Sequence, residues 1–176
     1  IISNLLTPFG FNEIMNNSLT KSELYNVNTF YKAENNVNIL NPLSSDLNIL
    51  RRTMLFSALE TIEYNSNRKN NNLKIFEFGK TYSLADEYIE NQHLFLSITG
   101  RRLKENWNSS NDQINFFDLK EYVHTILNKL GIFKFNSTLN DNPFYDNHIE
   151  YKLNNDIIVN HQCYYFYSPR LGGPKN

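Results

Sequence analysis

Leu73-Lys74-Ile75-Phe76-Glu77-Phe78-Gly79-Lys80-Thr81-Tyr82 is rich in apolar and β-forming residues and predicts a strand. Phe76, Phe78 and Tyr82 share one face at the strand period of two. Upstream, Leu55, Leu59 and Ile62, with Ala58 between them, recur at helical spacing, so this strand is preceded by a helix. The polar stretch Asn65-Ser66-Asn67-Arg68-Lys69-Asn70 separates the two. Downstream, His93 to Gly100 reads as a second strand, with Leu94, Leu96 and Ile98 on one side. A longer helix follows from Asp118 to Leu130, its stripe made by Leu119, Tyr122, Val123, Ile126, Leu127 and Leu130. Asp118 is placed to cap it, Glu121 to complete a box-like start, and Gly131 to end it.

The flanks extend the pattern. Residues 5–10 predict a helix end closed by Gly10, Phe11 to Leu19 a strand, and Thr20 to Tyr25 a short capped turn of helix. Val37 to Leu40 predicts a strand stopped at Asn41-Pro42, because the residue before proline is driven to extended geometry. Ser44-Ser45-Asp46 reads as a turn and Leu47 to Arg52 as extended chain. Further strands are predicted near 134–137, 149–153, 157–159 and 164–167, and Ser168 to Asn176 is a Pro/Gly-rich tail. Strands outnumber helices and few helices cross between them. The expected class is α+β, an antiparallel sheet flanked by helices, in a single domain over residues 1–167.

Composition excludes several functions. The chain has 176 residues, enough for a core without disulfide staples, and its one cysteine, Cys163, fits a reducing, cytoplasmic setting. Seventeen Lys+Arg against eighteen Asp+Glu leave a net charge of −1, so no global field draws it to nucleic acid or to anionic lipid. No apolar run approaches the ~18 residues of a membrane span. Asparagine is over-represented, including Asn70-Asn71-Asn72, but it is interleaved with aromatics, which make up 14% of the chain and mark a folded domain. The triplets Asn16-Asn17-Ser18, Asn108-Ser109-Ser110 and Asn136-Ser137-Thr138 are read as chance matches to a glycosylation signal. Ile1-Ile2-Ser3-Asn4 has neither an initiator methionine nor a charged leader, and a piece of a longer protein is expected.

Motifs for chemistry are sparse. His161-Gln162-Cys163 lacks the spacing of a metal knuckle, and neither CxxC nor HExxH occurs, so no metal site is expected. His124 falls on the polar side of its helix. No nucleophile elbow and no glycine-rich phosphate loop is present. The basic pairs Arg51-Arg52, Arg68-Lys69 and Arg101-Arg102, the last with Trp107 downstream, allow an RNA contact of stacking and phosphate type. Solvated loop charge is the plainer reading.

Five ordered blocks bring a family into view. Asn41-Pro42-Leu43-Ser44 with Asp46 and Leu50-Arg51-Arg52-Thr53-Met54-Leu55 resembles an Asn-Pro-Leu-Ser…Leu-Arg segment of the bacterial phenylalanyl-tRNA synthetase beta subunit. Phe76 to Tyr82, Thr99-Gly100 with Trp107, Phe117-Asp118-Leu119-Lys120, and Gly10-Phe11-Asn12-Glu13 are similar to further blocks of that family. The resemblance covers about residues 5–132 and fades beyond about 160. It implies a class II aminoacyl-tRNA synthetase-like fold. It also implies an alpha subunit partner in an α2β2 assembly that charges tRNA(Phe) with phenylalanine, using ATP and magnesium at the level of the complex.

The same resemblance implies that this module is not itself catalytic. Class II chemistry needs an arginine on the second-motif strand to grip the ATP α-phosphate, and bidentate guanidinium contacts suit that charge. Ser83 stands at the corresponding place, too short and neutral, and no third-motif Gly-x-Gly-x-Glu-Arg start is present. No catalytic residue and no cofactor of its own is therefore expected. Asn41, Pro42, Leu43, Leu50, Arg51 and Leu55 are the expected subunit contacts, in the segment corresponding to the first motif. Two rivals are an active adenylating domain using Arg101 or Arg102, and an autonomous RNA-binding module using Arg51, Arg68, Arg101, Arg102 and Trp107.

Overall fold

The run of β-forming residues at 73–82 becomes the central member of a three-stranded sheet. A computed structural model describes residues 1–26, 31–103, 107–108, 112–139, 147–154 and 156–163. The chain packs as two units, Ile1–Ile114 and Asn115–Asn176. In the first, helix α1 (Ile2–Leu6) tightens into a 3₁₀ turn at Thr7–Phe9 and leads to strand β1 (Asn12–Glu13). Strand β2 (Leu19–Thr20), helix α2 (Glu23–Asn26), strand β3 (Ile49–Leu50) and helix α3 (Leu55–Ser66) follow. Strands β4 (Lys74–Leu84) and β5 (Tyr88–Ile98) form a long hairpin. β4 runs antiparallel to β5, in unbroken register from Lys74 opposite Ile98 to Leu84 opposite Tyr88. On its other side β4 pairs with β1 in parallel, Asn12 opposite Ile75. The sheet is thus mixed, with β2 and β3 as a separate antiparallel pair.

The helix stripe read from the sequence does pack inward. Ala58 and Ile62 are buried, and Ile62 joins Leu73 and Ile75 in one apolar cluster with Leu59 and Ile14 against it. Fully burying one such aliphatic side chain is worth about 1.5–3 kcal/mol. Ile75, Phe76 and Glu77 are consecutive and all buried, so β4 is covered on both faces at this level.

Two predicted strands are shorter than expected. Between Phe11 and Leu19 only Asn12–Glu13 is strand, and Met15 is 94% exposed. The cause is local competition from asparagine side chains. Asn17 Oδ1 accepts the Leu19 N–H at 2.9 Å and turns the chain, while the Asn16 amide is drawn to Glu77 Oε2 at 3.0 Å. Val37–Leu40 likewise provides only a bridge, Asn38 opposite Ile49.

The second unit places helix α4 (Phe116–Lys129) with strands β6 (Asn136–Leu139), β7 (Asn147–Leu153) and β8 (Asp156–Cys163), an antiparallel sheet in that order. Its core is Phe116, Val123, Leu127, Ile149 and Tyr151. The strand predicted at 157–159 is part of the longer β8; the one at 164–167 and the tail at 168–176 lie outside the described residues. The helix is capped by Asn115, earlier than predicted. Asn115 Oδ1 accepts from the Phe117 and Asp118 N–H groups at 2.8 and 3.3 Å, and Asp118 Oδ2 accepts the Asn115 N–H at 2.8 Å. Starting there also brings Phe116 into the core, and Gly131, at φ +79°, ends the helix as expected. Asn115→Ala should cost about 1 kcal/mol, within the usual 0.5–2 range for a lost cap, read as a lower urea midpoint with unchanged slope.

His124 is not on a solvated face. Its ring packs edge-on against Phe135 and Tyr151, with centroids at 5.4 and 5.5 Å, and Nε2 lies 3.3 Å from the Tyr151 hydroxyl. Burial, and secondly the Lys120 charge, lower its pKa below the ordinary histidine value.

Candidate functional site

The first candidate surface is the loop that carries Asn41-Pro42-Leu43. Its base is pinned: Ile39 N–H donates to Asn48 O at 2.9 Å, and Leu50 N–H to Val37 O at 3.0 Å. Asn48 also fixes the return path, its Oδ1 accepting the Ser22 N–H at 2.9 Å and its Nδ2 donating to Ser22 Oγ at 3.0 Å. A 3₁₀ turn at Ser45–Leu47 closes it. Between these anchors Asn41 and Pro42 are exposed, and Leu40 and Leu43 are 93% and 95% exposed. Two leucines held in water on a pinned loop give this surface an apolar tip. Leu50 and Leu55, expected beside them as contacts, are half-buried.

Arg51, placed among those contacts by the sequence reading, points inward instead. It is 3% exposed, and its Nη1 lies 2.8 Å from Glu77 Oε1, itself on a residue 1% exposed. Its Nε donates to Lys80 O at 2.9 Å. A guanidinium leaves water only when its charge is answered, and here β4 supplies the Glu77 carboxylate for the charge and the Lys80 carbonyl for the Nε donor. Glu77 is completed by Asn16 Nδ2 on Oε2, and Asn16 Oδ1 in turn accepts from Thr61 Oγ1 at 3.0 Å. Main-chain bonds hold residue 51 at the sheet: its N–H donates to Ser18 O at 2.8 Å, and the Tyr82 N–H donates to Arg51 O at 2.9 Å.

The hairpin carries Ser83. By strand alternation Ile75, Glu77, Gly79, Thr81 and Ser83 share one face of β4, facing Ser97, Phe95, His93, Asn91 and Ile89 of β5. Ser83 is half-buried, opposite Ile89. Gly79 is the closest approach on this face. A Cβ there would come within 2.6 Å of the Met54 methyl and nearer still to Arg51 Nη2. His93, directly across from Gly79, has Nε2 2.8 Å from Thr81 Oγ1. Partial burial, and secondly the positive charge of Arg51, lower its pKa.

The basic residues have local partners in the described structure. Arg101 is half-buried; its N–H donates to Asn72 Oδ1 at 2.9 Å, and it bridges to Gln113. The Arg102 N–H donates to Asp112 O at 2.9 Å. Trp107 is 97% exposed. Arg68 lies over the Tyr64 ring, 3.4 Å from its centroid, a local cation–π pair. Among the described residues no group of three or more His, Cys, Asp and Glu could hold a metal ion, and no helix is long and apolar enough to cross a membrane. The side chains of His161 and Cys163 lie outside the description. Sequence reasoning missed Glu77 and Asn16 altogether. The available signal was a carboxylate in the middle of an apolar strand, which needs a buried partner.

Comparison with known proteins supplies the context. Residues 1–156 match the family model described as the phenylalanyl tRNA synthetase beta chain CLM domain. A phenylalanine–tRNA ligase beta subunit of Bacteroides fragilis is 41% identical over 142 residues, covering 75% of this chain and 17% of the relative. One from Porphyromonas gingivalis is 37% identical over 171 residues, covering 90% of this chain and 21% of the relative. The chain therefore spans about a fifth of the length of these relatives. A crystal structure of pyrrolysyl-tRNA synthetase from Desulfitobacterium hafniense superposes with a TM-score of 0.66 at 14% identity, over 90% of this chain and 55% of that one. At that identity the likeness carries the fold: mixed α+β, of class II synthetase type.

Proposed function

Because the chain belongs to the phenylalanyl-tRNA synthetase beta chain CLM domain family, we propose that it is a non-catalytic class II-like module of a phenylalanine–tRNA ligase beta subunit. Residues 1–167 act as one module in this reading, since the family match runs across the boundary at Ile114 to residue 156. Its part is mechanical: it supports assembly with an alpha subunit that charges tRNA(Phe) with phenylalanine. ATP and magnesium are used by the complex and not held by this module.

The observation that carries the docking role is the apolar tip, Leu40 and Leu43, 93% and 95% exposed on a loop whose base is hydrogen-bonded into place. A preorganised apolar tip loses little conformational freedom on binding, so most of its burial survives as affinity. Asn41, Pro42 and Leu43 form the contact, with the half-buried Leu50 and Leu55 supporting it; Arg51 is reassigned to the interior. The non-catalytic role rests on Ser83, which offers no guanidinium to a transferring phosphate.

Leu43→Asp should weaken association with the cognate alpha subunit roughly 10- to 100-fold, the equivalent of losing one buried leucine. Titration calorimetry on the full-length beta subunit reads it directly. Unchanged affinity for both Leu40→Asp and Leu43→Asp removes the loop from the interface.

A further inference from the structure

A cavity of about 270 Å³ opens between three elements: the segment from Asn16 to Lys21, the 3₁₀ turn at Ser45–Leu47, and helix α3. Its charged lining is mixed, a half-buried Lys21 with the exposed Asp46 and Glu60. Among the described residues none of these three side chains takes part in an ion pair, so Lys21 Nζ stands more than 4.0 Å from both carboxylates. Their scaffolds hold them apart. Lys21 follows β2, which pairs with β3 and accepts the Asn48 N–H on Thr20 O at 3.1 Å. Asp46 rides the turn closed by the Leu47 N–H on Ser44 O at 3.2 Å, and Glu60 belongs to α3. Three charges thus line one hollow from three hydrogen-bonded elements without neutralising one another.

The volume equals about nine water molecules at ~30 Å³ each, which is smaller than the ~300–1,000 Å³ of a drug-sized site and suits a ligand on the scale of an amino acid. Two lining carboxylates repel a phosphate, and an apolar ligand would leave all three charges unanswered. One lining cation and two lining anions are matched by a ligand with one anion and two cations. The Ser57 hydroxyl donates to Met54 O at 3.1 Å and keeps the capacity to accept from such a ligand.

We propose that this cavity binds a free dibasic amino acid of the lysine type, with its carboxylate on Lys21 and its two ammonium groups on Asp46 and Glu60. The site lies outside the docking contacts named above and stands independently of them. A ligand held in this way ties the turn at Ser45–Leu47 to α3.

Hydrogen exchange of the full-length beta subunit, read peptide by peptide during titration with L-lysine, tests this at the site itself. Sodium chloride at equal ionic strength is the control. Saturable protection is expected in the peptides that cover 44–48 and 55–61, half-complete at millimolar L-lysine, as suits partly solvated charge pairs. On the unaltered chain, cadaverine lacks the carboxylate and 6-aminohexanoate lacks the α-ammonium. Each should need about 3- to 10-fold more ligand for the same protection, and Lys21→Met and Glu60→Gln should each weaken the response to L-lysine by a similar factor. Cadaverine acting as well as L-lysine, or an unchanged response in Lys21→Met, would show simple screening of the two carboxylates and overturn the proposal. No saturable protection in these peptides overturns it equally, whatever L-lysine does elsewhere in the chain.

Discussion

Replacing Arg51 alone with methionine should lower the unfolding free energy by about 3–5 kcal/mol, the usual cost of stranding one member of a buried ion pair. The side chains of Arg51 and Glu77 are 4% and 2% exposed, so no solvent stands ready to answer the carboxylate left behind. Glu77→Gln should cost a comparable amount, because it leaves the guanidinium unanswered. The double variant Arg51→Met/Glu77→Leu should recover most of the loss, since an apolar pair of similar volume is often as stable as the ion pair it replaces. For a chain of this size the single variants correspond to a fall of roughly 6–20 °C in melting temperature. The main-chain bonds of residue 51 to Ser18 and Tyr82 survive the side-chain change, so the strand edge remains defined. A single variant that loses less than about 1 kcal/mol would mean that water reaches the pair.

Tyr151→Ala should be of similar size in the second unit, about 3–5 kcal/mol for a buried aromatic reduced to a methyl group. Tyr151 is 1% exposed, with the Phe135 ring centroid at 5.0 Å and the His124 ring at 5.5 Å, inside the cluster of Phe116, Val123, Leu127 and Ile149. Tyr151→Phe keeps the packing and forfeits only the contact to His124 Nε2, so its cost should be about 0.5–1.5 kcal/mol. The two variants also separate in the titration of His124. Its pKa is lowered chiefly by burial, so the cavity of Tyr151→Ala should move it upward, followed by the shift of its ring proton with pH. A His124 titration unchanged in Tyr151→Ala would show that the site had collapsed rather than opened.

The parts of the fold legible in the sequence were those where one period dominates. The stripe of Leu55, Leu59 and Ile62 and that of Val123, Ile126 and Leu127 are helices because three or four apolar positions agree. The hairpin was legible at 73–82, but β5 begins earlier than its apolar residues suggest, since Tyr88 to Gln92 pair with β4 while remaining exposed. Exposed strand carries no hydrophobic alternation to read. Phe11 to Leu19 misled for a different reason: the Asn17 side chain took the Leu19 N–H, and the Asn16 amide was drawn to the Glu77 carboxylate. On the loop, Pro42 and Leu43 were expected as contacts from the family resemblance alone, and the structure shows both exposed. Arg51 was grouped with those contacts through the same correspondence, whereas its partner Glu77 lies 26 residues away in sequence and is brought beside it only by the sheet.

Gly79 ties these matters together. A Cβ there obliges the ends of the Arg51 and Met54 side chains to shift, and any shorter residue at 51 leaves Glu77 uncompensated, so the effects of substitutions at 51, 77 and 79 are conditional on one another. The three positions should therefore behave as a single coupled unit, with non-additive costs in double-mutant cycles.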